Sequence, residues 1–210
     1  MNMAPIGQWH TVDVFMLFAM WAIMMAGMML PSATPVILWV NRINQQRRRN
    51  HTAYIHTLYF VSGYLWVWSL FSGLITLLQW WLHSAALLSP MMMSANRTFS
   101  ALLLITAGLY QWSPLKQQCL RLCQSPLSLI STQWREGHWG AIRLGLIHGQ
   151  YCVGCCWALM VLLFITGVMN LKWILLITLF VMIEKLLSKG EWFARLTGVV
   201  LVGLGVGLLV

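Results

Sequence analysis

Residues 141–168, AIRLGLIHGQYCVGCCWALMVLLFITGV, decide the fold class. Beyond Arg143 the stretch carries no charged residue, and as a helix it is long enough to cross the roughly 30 Å hydrocarbon core of a bilayer. It also concentrates thiols where a membrane helix ordinarily keeps inert side chains. Each helical residue advances about 100°, so His148, Cys152 and Cys156 fall at successive i, i+4 steps on one face, with Cys155 within a turn. Three sulfurs and an imidazole are thus predicted to converge, with Met160 one turn beyond. Arg143 marks the inner end of this span, and the helical rise places Cys152 roughly 15 Å deeper, near the bilayer midplane. Gly145 and Gly149, four apart, leave room for another helix to approach closely.

Composition extends this reading to the whole chain. Of 210 residues, 60% are hydrophobic and 8% charged, with a mean hydropathy of +0.74. That excludes an ordinary soluble domain. The expected architecture is all-α: one integral membrane domain over residues 1–210, a polytopic bundle of about six spans. These fall near Asp13–Leu30, Tyr54–Trp81, Phe99–Trp112, Ala141–Val168, Leu171–Leu187 and Trp192–Val210. The first span has neither a basic leader nor a small-residue cleavage site, so it is read as retained. It could continue past Pro31 and Pro35 as a kinked helix. The loops leave no room for an extramembrane domain.

Charge placement sets the orientation. With the amino terminus outside, the inner side collects Arg42, Arg47, Arg48, Arg49, Lys116, Arg121, Arg135, Arg143, Lys185, Lys189 and Arg195, and the outer side only Arg97 and Lys172. This is a positive-inside bias, and the net charge of +9 follows from topology and from attraction to anionic lipids. Arg47–Arg49 is accordingly read as a lipid-facing turn and not as a nucleic-acid patch. Trp9, Trp39, Trp80, Trp81, Trp112 and Trp173 lie near span ends, as interfacial anchors do.

Ser113 can cap a short helix whose first position suits Pro114, and Cys119 and Cys123 then share a face at i, i+4. On the cytosolic side the pair meets a reducing compartment, which leaves a metal site, a redox relay or packing. The first span carries Met16, Met20, Met24 and Met28 at i, i+4 steps with Met25 and Met29 alongside, and Met91–Met93 follow His83 in an outer loop. Such a ladder either hands copper(I) inward through thioethers or forms a packing seam. Glu184, near the inner end of the fifth span, needs a cation. Arg143 is the expected ion-pair partner, with Lys116 and Arg195 as alternatives, while Lys185 points about 100° away on the same helix.

Several stretches together resemble a known family: Ala26–Pro31, Gly108–Lys116 with Cys119 and Cys123, His148–Met160, Gly167–Leu171 and Glu184–Lys185. In order and spacing they look like the predicted metal-binding integral membrane proteins, the bacterial domain of unknown function 2182. The resemblance runs through nearly the whole chain and implies metal binding and a multi-pass place in the bacterial inner membrane. Thiolate, thioether and imidazole suit copper(I) or zinc, and the scarcity of carboxylates disfavours magnesium, calcium and manganese.

The leading expectation is a non-catalytic carrier of copper(I) or zinc. His148, Cys152, Cys155 and Cys156 form its intramembrane site, and Cys119 and Cys123 a second station at the inner face. Its partners are the lipid bilayer, the metal ion and a donor or acceptor protein. The alternatives are a thiol–disulfide relay through the CxxC at Cys152 and Cys155, or a membrane scaffold whose cysteines only pack.

Overall fold

The computed structural model describes residues 11–50, 56–84, 97–125, 132–133, 137–168, 170–187 and 190–209. Trp9, Met91–Met93, Arg135 and Lys189 lie outside them. The described elements are α-helical: α1 (Thr11–Arg49), α2 (Thr57–Ser84), α3 (Arg97–Gln111), α4 (Pro114–Gln124), α5 (His138–Val161), α6 (Leu163–Thr166), α7 (Leu171–Leu186) and α8 (Gly190–Gly207).

Three of these stretches are long and apolar enough to cross a membrane: Thr11–Arg49, Thr57–His83 and His138–Thr166. The other expected spans fall short by that measure. α3 has 15 residues and α7 has 16, while α8, with 18, opens with Glu191 and Arg195. α1 continues through Pro31 and Pro35 to Arg49, so the longer of the two expected forms is the one adopted. Asp13 in its first turn and Arg47–Arg49 in its last complement the helix dipole.

α5 is central. It packs most extensively on α2, which also receives α1, and its opposite flank carries α4. The α2–α5 crossing depends on glycine: Gly145 lies over the Phe60 carbonyl, Gly63 over the Ile142 carbonyl, and Gly149 against Val67. A methyl group at position 145 would meet backbone, which cannot yield cheaply, whereas at position 149 it would first meet the Val67 side chain. Gly145→Ala is therefore expected to destabilise the protein by roughly 1–3 kcal/mol, as overpacking does. Gly149→Ala should cost less, and Gly27→Ala, with open space around it, should cost nothing. Thermal unfolding in detergent checks this ranking, and equal losses at all three positions would show that the crossing is not set by these glycines.

Ser113 caps α4 by accepting the Leu115 N–H at 3.3 Å, with Pro114 in the first turn. α3 and α4 then run antiparallel along α8. Gly108 faces Gly198, Trp112 Nε1 donates to the Arg195 carbonyl at 3.0 Å, and Arg121 forks onto Glu191. The hydrogen bonds from Arg121 lower the pKa of the Glu191 carboxyl from its ordinary value. Gln124 Nε2 donates to the carbonyls of Glu184 (2.9 Å) and Leu187 (3.0 Å), satisfying acceptors that the end of α7 leaves open. α4 is thereby fixed between α5, α7 and α8.

Candidate metal centre

Cys152, Cys155 and Cys156 are buried on α5 and all five cysteines are free. The i, i+4 geometry does place the residues on neighbouring faces, but their side chains take separate partners. Cys155 and Cys156 both donate to the Cys152 carbonyl, at 3.1 and 2.9 Å. From there Cys155 Sγ comes to 4.0 Å from Cys123 Sγ on α4, and Cys156 Sγ to 4.0 Å from Met29 Sδ on α1. Cys152 Sγ turns a third way. It lies 3.0 Å from the Tyr64 hydroxyl and accepts from Lys185 Nζ at 2.9 Å. Tyr64 also donates to the Met29 carbonyl at 3.1 Å, and Lys185 to Ser32 Oγ at 3.2 Å. α1, α2, α4, α5 and α7 thus all reach one buried centre.

His148 does not join the sulfurs as the face-sharing pattern predicts. Its buried ring stacks on Tyr64 at 5.6 Å and lies 5.9 Å from Phe60, and among the described residues its Nδ1 finds no hydrogen-bond partner. Among the described residues, no three or more His, Cys, Asp or Glu side chains are gathered as a ready-made ligand set. The sulfur approaches between helices are pairwise, Cys155 to Cys123 and Cys156 to Met29.

Cys119 and Cys123 share a face as expected, but that face is turned inward. Both are buried, Cys123 against Cys155 and Cys119 in the notch over Gly154. Cys123 thus joins the α5 sulfurs, whereas Cys119 packs on α5 at Gly154. The methionine ladder is likewise redistributed. Met25, Met28 and Met29 are buried with Trp21, Met20 and Met24 are half-buried, and Met16 is 59% exposed.

The cation that meets Glu184 is Lys116, at 2.8 Å with both side chains buried. The expected pair with Arg143 is not formed, because that residue is exposed near the start of α5 while Glu184 is turned towards α4. The sequence pattern weighed Lys185 only as a partner for Glu184 and did not single out Tyr64; a lysine offset by about 100° from Glu184 on the same helix and a tyrosine in the middle of an apolar span were the available signals.

The donor chemistry fits a soft monovalent ion. With metal–sulfur bonds of about 2.3 Å, a straight S–metal–S unit spans about 4.6 Å and a tetrahedral pair about 3.8 Å. Both sulfur pairs, at 4.0 Å, lie between these limits, so a small side-chain rotation suffices to admit an ion. Fold and site together define an all-α protein with a buried thiol–thioether centre of the kind that suits soft metals. A family model described as PpoB2, copper chaperone, matches residues 18–208, and the chain belongs to that family. No curated protein and no solved structure matches it.

Proposed function

We propose that the protein is a multi-pass membrane chaperone for copper(I), held between sulfur pairs contributed by α5 and its neighbours. The observation that carries this reading is the double approach at 4.0 Å, Cys155 to Cys123 and Cys156 to Met29. Adjacent residues on one helix thereby serve two stations, one dithiol and one thiol–thioether. Copper(I) accepts two or three soft donors, so it can pass between the stations by exchanging one sulfur at a time. Zinc asks for four ligands gathered around it, and pairs answer copper better.

The membrane setting is supported by an inside-out distribution of polarity. Leu171, Leu175, Leu176 and Leu179 of α7 and Val199, Val200 and Leu204 of α8 are exposed, as are Leu70, Leu74 and Leu77 of α2. Polar groups lie within, among them Ser72, Thr76, Gln79 and the Lys116–Glu184 pair. Gln79 Oε1 accepts from Trp21 Nε1 at 2.6 Å, and Ser72 and Thr76 bond to carbonyls of their own helix. Lipid on the outer faces satisfies this pattern, and α7 and α8 share it with the longer helices. The excess of basic residues at Arg47–Arg49, Arg121 and Arg143 supports an amino terminus outside, and the family resemblance supports a bacterial inner membrane.

The test is to load the full chain anaerobically in detergent and compete with a copper(I) chelator. About one to two equivalents of copper should remain bound, with sulfur neighbours at about 2.2–2.3 Å in X-ray absorption. Failure to retain copper, or coordination by nitrogen and oxygen alone, would overturn the proposal. A thiol–disulfide relay would instead appear as a bond between Cys123 and Cys155, the thiols in contact, and not across the CxxC.

A further inference from the structure

We propose that Lys185 is the residue that makes the dithiol station, Cys123 with Cys155, selective for a monovalent ion. The inference rests on the copper(I) reading above and assigns its specificity. Lys185 Nζ is 2.9 Å from Cys152 Sγ and 3.2 Å from Ser32 Oγ, and among the described residues it meets no carboxylate. The other buried cation at the centre, Lys116, is neutralised by Glu184 at 2.8 Å. Lys116, Glu184 and Lys185 together therefore leave a net charge of +1 beside the thiols.

That charge decides which complex is neutral. Binding copper(I) to two thiols releases two protons and leaves a bis-thiolate complex of charge −1, which Lys185 balances to zero. Zinc(II) on the same two thiolates is neutral by itself, so the centre as a whole is left at +1. In a buried, weakly polarisable surrounding an unbalanced charge is costly. A third thiolate would restore the balance for zinc, but the other thiols of α5 are engaged elsewhere, Cys156 by the Cys152 carbonyl and Met29, and Cys152 by Lys185 and Tyr64. Softness alone does not separate these ions, because zinc also binds thiolate well. Charge does.

Removing the charge should therefore change the preference and not merely the affinity. Lys185→Gln and Lys185→Met should each lower the copper(I)-to-zinc(II) affinity ratio of the purified full chain by at least about tenfold, a change of ~1.4 kcal/mol. Lys185→Arg, which keeps the charge, should retain most of the wild-type ratio. An unchanged ratio in the neutral variants overturns the proposal, as does a loss in the arginine variant equal to theirs. Should the neutral variants fail to fold, the wild type provides the second measurement. Silver(I) and cadmium(II) are both thiophilic but differ in charge. Relative to a free dithiol, the protein should favour silver over cadmium by at least about tenfold, and a ratio equal to that of the dithiol overturns the charge assignment. A wild type that binds no copper(I) at all would instead refute the chaperone reading.

Discussion

Changing Cys123 and Cys155 together to serine is expected to lower copper(I) affinity by at least about a hundredfold, equivalent to ~2.7 kcal/mol. These sulfurs come from helices distant in sequence yet lie 4.0 Å apart, and serine oxygen is a hard donor that copper(I) accepts poorly. The remaining Cys156–Met29 pair provides one thiolate and one thioether, so residual weak binding should persist. Cys119→Ser is the internal control. Its sulfur fills the notch over Gly154, so affinity should stay near the wild-type value. Chelator competition on the three proteins reads the effect directly. A double variant that binds as tightly as wild type would remove Cys123 and Cys155 from the site.

The second large effect is on stability. Lys116→Met leaves Glu184 buried without its cation, and breaking a buried pair from one side costs about 3–5 kcal/mol. The double variant Lys116→Met, Glu184→Leu removes both charges and should regain most of that loss, because the pair's attraction largely offsets its own desolvation. Denaturation in detergent of both variants against wild type measures the difference. If the single variant is as stable as wild type, the 2.8 Å contact contributes little. Both side chains are 1% exposed, so a large single-variant penalty is the expected result.

The helical class and several joints of the fold were legible in the sequence for local reasons. The start of α4 followed from Ser113 and Pro114, and the close crossing at Gly145 and Gly149 from their spacing, since caps and small-residue stripes act within a few residues. The centre was legible only in part. Helical phase placed the α5 cysteines near one another, but phase does not choose rotamers, and the three thiols diverge towards α1, α4 and α7. The docking of α4 on α5 depends on long-range packing that local pattern does not encode, so Cys119 and Cys123 were expected as a second station at the inner face. The same applies to Glu184, whose partner was chosen by the position of α4. Lys185 was discounted because it could not reach Glu184, and that same 100° offset is what directs it to Cys152.

The family's copper reading also has a consequence for how firmly the loaded and empty proteins are held together. Cys123 belongs to an 11-residue helix and Cys155 to the central one, so an ion shared between them acts as a crosslink between a small element and the body of the fold. By mass action, a ligand at a hundred times its dissociation constant adds ~2.7 kcal/mol to the folded state. On the copper(I) proposal the empty protein is then the less tightly held form, with α4 kept in place by its packing, the Lys116–Glu184 pair and the Arg121–Glu191 contact.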